Sequence, residues 1–128
     1  MAFARSLALG LFAAAIVAAG PALAELRLMM VEQDGCGYCA QWDRVIAPIY
    51  PKTPEGRIAP LMRVDLHAPL PDGVTIDAPA VFTPTFVLLD DGTEVGRIEG
   101  YPGEDFFWGL LAQMIETAKP APAALPEG

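Results

Sequence analysis

Residues 26–50 read LRLMMVEQDGCGYCAQWDRVIAPIY, and this stretch decides the fold. Leu26–Glu32 is an apolar run that predicts a buried strand, and Asp34-Gly35 is a turn signal. From residue 36 to residue 50, apolar side chains recur at helical spacing, and Pro48 is expected to kink or end the helix. The segment therefore predicts a strand, a turn and a helix, with Cys36 and Cys39 in the first turn of that helix.

The rest of the chain predicts a small α/β domain. We expect a loop over 51–60, a strand over Leu61–Leu66, and a Pro-, Asp- and Gly-rich segment over 67–83 with a short helix near 77–81. Two strands follow at 85–89 and 93–99, joined by a hairpin turn, and then a helix at 104–118. Since a helix joins the first two strands, they should be parallel. The prediction is a four-stranded mixed sheet with helices on its faces, in which Phe106 and Phe107 are core residues and Trp108 lies on the surface.

The N-terminus has the three-part layout of a secretory signal. Arg5 precedes an apolar run from Leu7 to Ala19, and small residues at 22 and 24 form a cleavage site. The run is shorter than the ~20 residues that span a bilayer, which argues against the alternative of an uncleaved anchor. We therefore predict a signal peptide at 1–24, one compact domain at 25–118 and a disordered Pro/Ala-rich tail at 119–128. The net charge of −8 excludes a nucleic-acid partner, because phosphate binding requires clustered Lys and Arg.

The two cysteines, Cys36 and Cys39, are better explained by chemistry than by stabilisation. A disulfide between them closes too short a loop to stabilise the fold much. A helix N-terminus favours a thiolate, so Cys36 should attack and Cys39, one turn further in, should resolve the mixed disulfide. The nearby carboxylates of Glu32 and Asp34 oppose that thiolate.

Other uses of a CxxC pair fit this sequence less well. A c-type haem needs His after the second cysteine, where Ala40 stands. Zinc prefers four ligands, and only His67 could join the cysteines, so no metal or cofactor is expected and His67 is a surface or loop-packing residue. A module that binds a soft metal such as copper(I) remains the alternative from another class. Of the aromatic residues near the cysteines, Trp42 should pack in the core and Tyr38 should be exposed.

The strand–CGYC–helix unit, followed by Thr83-Pro84 before a strand hairpin, resembles the thioredoxin superfamily. The resemblance implies that Pro84 is a cis-proline facing the cysteines and that Thr83 pairs its backbone with a substrate chain. It also implies a minimal, glutaredoxin-like form of the fold, because the mature chain starts at the CxxC strand. Met30 stands where thioredoxins carry a buried carboxylate, which leaves the proton acceptor for Cys39 open.

The runs MMVEQDGCGYCAQWDRVIAPIYPKTPEGR, RVDLHAP and FTPTFVLLDDGTEVGRIEGYPGEDFFWGLL resemble more closely the periplasmic thioredoxins encoded with bacterial sulfur-oxidation (Sox) systems. This resemblance implies a periplasmic reductase that keeps the thiol of a sulfur-carrier protein reduced, with a membrane thiol transporter as electron donor. We expect the protein to be a monomer. CGYC with Thr-Pro also resembles periplasmic disulfide isomerases, so an isomerase or oxidase using the same residues stays open. The reduction potential decides between these directions.

Overall fold

The structure is a computed structural model that describes residues 10, 14, 15 and 25–118. Nearly all of the predicted signal peptide, and the whole predicted tail, lie outside the described residues. Among the described residues, no helix is long and apolar enough to cross a membrane. The strands are β1 (Leu26–Glu32), β2 (Leu61–Asp65), β3 (Thr85–Asp90) and β4 (Thr93–Glu99), and the helices are α1 (Gly37–Val45), α2 (Pro54–Ile58) and α3 (Glu104–Ala118), with a 3₁₀ turn at Tyr50–Lys52.

The four strands form one mixed sheet in the order β2-β1-β3-β4. β1 and β2 are parallel, whereas β3 is antiparallel to both β1 and β4. The predicted fold class and strand directions are therefore confirmed. Because β1 lies inside the sheet and both its faces are covered, its sequence is a continuous apolar run rather than an alternating one.

The main core lies between one face of the sheet and helices α1 and α3. The rings of Trp42, Phe86 and Phe107 meet there, with centroids 5.0–5.8 Å apart. Each is fully buried, and burial of a side chain this large contributes roughly 2–3 kcal/mol to stability. The opposite face of the sheet is covered by the loop after β2 instead of by a helix, through the side chains of Leu66, Val74, Ile76 and Ala80.

The predicted loop at 51–60 is wrong, because it contains the 3₁₀ turn and α2. Thr53 caps α2 by accepting a hydrogen bond from the Gly56 amide at 3.0 Å, and Pro54 occupies the first helical turn. This is the usual pairing of an N-cap residue with proline at the helix start. Gly56 approaches the chain so closely that a Cβ there would lie 1.8 Å from the Tyr50 carbonyl oxygen.

Of two further helix predictions, one is confirmed in part and one is wrong. α1 ends at Val45, ahead of Pro48 as expected and not near residue 50, because the proline ring cannot continue a helix. The short helix predicted near 77–81 does not form. Pro79 lacks an amide hydrogen in the middle of that segment, and the Ala78 carbonyl instead accepts a hydrogen bond from Arg97 at 2.7 Å.

In α3 the prediction for Phe107 is confirmed, but those for Phe106 and Trp108 are wrong. Phe107 is fully buried, whereas 70% of the Phe106 surface is exposed. Trp108 is half-buried and stacks on Tyr50, with ring centroids 6.0 Å apart. The buried positions of α3 are 107, 111 and 115, and the ring of Tyr50 extends that face on the side of Trp108.

Candidate active site

Cys36 and Cys39 form a disulfide at the N-terminus of α1. Their sulfur atoms lie 2.12 Å apart and their Cα atoms 5.2 Å apart. Cys36 is the N-cap residue, and its sulfur accepts a hydrogen bond from the Cys39 amide at 3.1 Å. Cys36 is half-buried and Cys39 is only 5% exposed. The sulfur at the helix end is therefore the more accessible one, and the helix amide and macrodipole favour negative charge on it.

Thr83 and Pro84 lie at the same end of the sheet, immediately before β3. The peptide bond between them is cis, as the resemblance implied. Thr85, the next residue, pairs in register with Val31 near the end of β1, and the turn with Cys36 follows β1. A hydrogen bond of 2.9 Å from Gln33 Nε2 to Thr83 Oγ1 joins the two loops directly.

A shallow cleft of about 490 Å³ opens beside the disulfide. It is strongly acidic, because four carboxylates line it together with both cysteines: Glu32, Asp34, Asp43 and Asp65. A negative surround opposes a thiolate and so opposes the effect of the helix end. The sequence placed Glu32 and Asp34 near the cysteines, and the fold adds Asp43 and Asp65.

Arg63 on β2 binds two of these carboxylates. Its guanidinium donates to Glu32 and, at 2.7 Å, to Asp43. Burial lowers the pKa of Arg63, but its hydrogen bonds and charge interactions with the two carboxylates outweigh that effect, so its pKa is raised. The guanidinium also lies 5.7 Å from the centre of the Trp42 ring. Arg63 thus connects β1, β2 and α1 and partly neutralises the cleft.

Met30 occupies the position where the resemblance leads one to expect a buried carboxylate. It is fully buried, and Arg63 Nη1 lies 3.7 Å from its sulfur. The structure brings carboxylates to the edge of this region instead, on Glu32 and Asp43. The predictions for two nearby residues are confirmed: Trp42 is fully buried and Tyr38 is 63% exposed.

Gln33 and Arg63 also belong to the site, although the sequence does not predict either of them. Gln33 contacts Thr83 as well as His67, whose ring nitrogen lies 3.3 Å from Gln33 Oε1. His67 is exposed, as expected. The partners of Gln33 and Arg63 are 20–50 residues distant in the chain, so no local pattern marks either residue. Within residues 25–118, no group of three or more His, Cys, Asp or Glu side chains is arranged to hold a metal ion.

This fold and this disulfide at a helix N-terminus define a thiol–disulfide oxidoreductase of the thioredoxin superfamily. The sequence matches no protein-family model, and no curated protein matches it. Among solved structures, the reduced form of the periplasmic thioredoxin SoxS from Paracoccus pantotrophus is 58% identical, with a TM-score of 0.73 over 74% of this chain and 100% of that one. The chain therefore belongs to the thioredoxin family and is similar to SoxS. A thioredoxin from Fasciola hepatica, 21% identical with a TM-score of 0.52 over 71% of this chain and 82% of that one, shares the fold.

Proposed function

We propose that this protein is a periplasmic reductase that acts on a disulfide or a cysteine adduct of a partner protein. The observation that carries the proposal is the 58% identity to a periplasmic thioredoxin, SoxS, whose whole length this chain covers. In this proposal residues 1–24 are a signal peptide, residues 25–118 form the working domain and residues 119–128 are a tail outside it. The domain acts as a monomer and needs no cofactor.

Cys36 and Cys39 carry the reaction as a dithiol. The Cys36 thiolate attacks one sulfur of the substrate, the substrate S–S bond breaks, and the departing sulfur takes up a proton. Cys39 then loses its proton and attacks the Cys36 sulfur, which forms the Cys36–Cys39 disulfide and releases the second substrate thiol. Two electrons pass from the dithiol to the substrate. The greater exposure of Cys36 and its position at the helix end support this order of events.

Thr83 and Pro84 belong to the substrate-binding part of the proposed site. Thr83 presents its backbone to an extended substrate chain, which pairs with it as a short added strand. Support comes from the position of both residues just before β3, and from the hydrogen bond that ties Thr83 to the turn before Cys36.

The proposed partner is the sulfur carrier of a Sox system, and the proposed electron donor is a membrane thiol transporter. Both follow from the resemblance to thioredoxins encoded with Sox systems, and the similarity to SoxS supports them. The transporter would return the Cys36–Cys39 disulfide to the dithiol after each turnover.

The decisive experiment uses Cys39→Ser as bait in a periplasmic extract. Without the resolving thiol, the mixed disulfide on Cys36 persists, and we expect one predominant partner, a sulfur-carrier protein. A variant with both cysteines replaced by serine is the matched control and should capture nothing. Recovery of many newly secreted proteins instead would favour a disulfide isomerase or oxidase and would remove the Sox assignment.

Two solution measurements separate the rival functions. A reduction potential near the thioredoxin end of the range, about −270 mV, fits a reductase, and one near −120 mV fits an oxidase. Stoichiometric copper or zinc in the purified protein, with loss of free thiols, would indicate a metal-binding module.

Export is tested by N-terminal sequencing of the protein from the periplasm. Cleavage after Ala24 gives a mature chain that starts at Glu25. A full-length product retained in the cytosol would remove both the proposed location and the oxidising context of the reaction.

A further inference from the structure

Gln33 is the side chain that joins the turn before Cys36 to the loop that ends at Thr83 and Pro84. It lies between β1 and Cys36, and its backbone carbonyl accepts a hydrogen bond from the Cys36 amide at 3.3 Å. Its side-chain amide donates to the Thr83 hydroxyl at 2.9 Å across 50 residues of sequence. Its side-chain oxygen lies 3.3 Å from the His67 ring nitrogen. One side chain therefore contacts both ends of the loop from residue 66 to residue 84.

This loop exposes apolar side chains immediately before Thr83. Val81 is 73% exposed and Phe82 is 62% exposed. Residues 66–84 contain no helix or strand, apart from a single bridge between Thr75 and Thr93. The position of the two apolar side chains relative to Cys36 consequently depends on how the loop is anchored.

The other hydrogen bonds near the end of the loop tie it to the β3–β4 side of the sheet. The Thr85 hydroxyl donates to the Phe82 carbonyl at 2.6 Å, Arg97 donates to the Ala78 carbonyl at 2.7 Å, and the Gly100 amide donates to the Pro84 carbonyl at 2.7 Å. At the start of the loop, the Leu66 amide donates to the Glu32 carbonyl at 2.8 Å. Among the described residues, the bond from Gln33 to Thr83 is the hydrogen bond that connects residues 33–39 with residues 81–84.

Glutamine makes both contacts with one neutral group. Its amide both donates and accepts, so one side chain can serve a hydroxyl on one side and a ring N–H on the other. Glutamate could accept from both groups, but it would add a carboxylate to a cleft that four already line, and methionine, which has the same length, would make neither contact effectively. The two contacts together hold the amide plane between the two ends of the loop.

We infer that Gln33 is a positioning residue that selects polypeptide disulfides over small ones. It holds the Thr83 backbone, and with it the adjoining Val81–Phe82 segment, at a fixed place relative to the turn that carries Cys36, where an extended substrate chain would bind. A small disulfide needs neither the backbone nor these side chains, and it reaches the half-buried Cys36 sulfur directly. This inference rests on the proposed function, because it assumes that Thr83 pairs with substrate.

The test compares two disulfides as probes, insulin and 5,5′-dithiobis(2-nitrobenzoic acid). Pre-reduced protein is mixed with excess probe, and formation of the Cys36–Cys39 disulfide is followed in a single turnover. For Gln33→Met, the half-saturating insulin concentration should rise about fivefold, the effect of losing one hydrogen bond, while the maximal rate stays within about twofold. The rate with the small probe should also stay within about twofold of the wild type.

Matched variants show whether the Gln33–Thr83 bond is responsible. Gln41→Met makes the same replacement at an exposed position of α1 and should leave all rates unchanged. Thr83→Val removes the hydroxyl from the other end of the bond and should reproduce the insulin effect. The double variant of Gln33 and Thr83 should then be no worse than either single variant, because both remove the same interaction. Thr83→Val also keeps the test open if Gln33→Met does not fold.

Two results would overturn the inference. If the half-saturating insulin concentration is unchanged in both Gln33→Met and Thr83→Val, the hydrogen bond between these side chains does not position the substrate. An equal slowing with both probes means that Gln33 acts on the sulfur chemistry itself. A wild-type protein that reduces neither probe would instead contradict the proposed function, so the two failures are distinguishable.

Discussion

Replacement of Tyr50 by phenylalanine tests a buried hydrogen bond that fixes the chain after α1. The Tyr50 hydroxyl donates to the Ala59 carbonyl at 2.6 Å, and both residues are almost fully buried. The ring also packs against Trp42 and stacks on Trp108. Phenylalanine keeps these ring contacts but leaves the Ala59 carbonyl without its partner, so Tyr50→Phe isolates the hydrogen bond.

The expected cost at pH 8 is about 2 kcal/mol, the typical penalty for a buried acceptor left unpaired. For a domain of this size, that corresponds to a fall in Tm of roughly 10 °C. Tyr38→Phe is the matched control, because it removes a hydroxyl from a ring that is 63% exposed. The control should leave stability within about 0.5 kcal/mol of the wild type.

The loss of stability caused by Tyr50→Phe should become smaller at alkaline pH. Burial first, and then the negative charge of Glu55, raises the pKa of Tyr50 far above its ordinary value of 10.0. A raised pKa means that the folded state keeps the proton while the unfolded state loses it above pH 10. The wild type therefore loses stability by about 1.4 kcal/mol per pH unit from pH 10 upward, and phenylalanine has no such group.

The stabilities of Tyr50→Phe and the wild type should accordingly converge and become equal between about pH 11 and 12. The assay is urea unfolding of the oxidised proteins followed by circular dichroism, at intervals from pH 8 to pH 11.5. All other titrating groups are shared, so they cancel in the comparison. The reasoning would be refuted if the difference in the free energy of unfolding between the two proteins stayed constant with pH. It would also be refuted if there were no difference at pH 8.

Three further substitutions test the packing and charge of the fold. Phe107→Ala should destabilise the domain by about 3–5 kcal/mol because it empties a buried site, whereas Phe106→Ala should cost under about 0.5 kcal/mol; equal losses in chemical denaturation would contradict the assigned faces of α3. Gly56→Ala should cost more than about 3 kcal/mol, since its Cβ would clash with the Tyr50 carbonyl. A Tm close to that of the wild type would show that the backbone at residue 56 is not packed so closely against Tyr50. Arg63→Met should slow iodoacetamide alkylation of Cys36 in the reduced protein by roughly two- to fivefold, because the cleft loses its bound cation; Arg57→Met, at an exposed position of α2, is the control, and an equal effect of both would show that only net charge matters.

The sequence predicted the sheet and the location of the cysteines because both depend on local signals. Each signal lies within a few residues of sequence: the unbroken apolar run of β1, the Asp-Gly turn and the helical spacing of apolar residues after Cys36. The hairpin of β3 and β4 and the parallel pairing of β1 with β2 then follow from the lengths of the connections. Family resemblance added the cis bond at Thr83-Pro84, which no local pattern indicates.

Local signals gave wrong predictions where they supported two local structures about equally. Thr53-Pro54 is a sound helix start, but the segment around it is short and rich in proline, so its composition favours a loop. In α3 the aromatic residues 106–108 are adjacent, and their order alone does not show which of them faces the sheet. The ring of Tyr50, more than 50 residues earlier in the chain, decides that Trp108 is packed.

Only the tertiary structure decided the surroundings of the disulfide. The sheet places the end of β1, the end of β2 and the start of β3 at one edge, and this brings Gln33, His67 and Thr83 into contact. The same arrangement joins Arg63 to Glu32 and Asp43. These contacts link residues that are 20–50 positions apart, and each side chain by itself resembles an ordinary polar surface residue. The sequence therefore determined the cysteine pair at the start of the helix, whereas the folded chain determined the charges and the loop that surround it, because those depend on which strand ends meet in space.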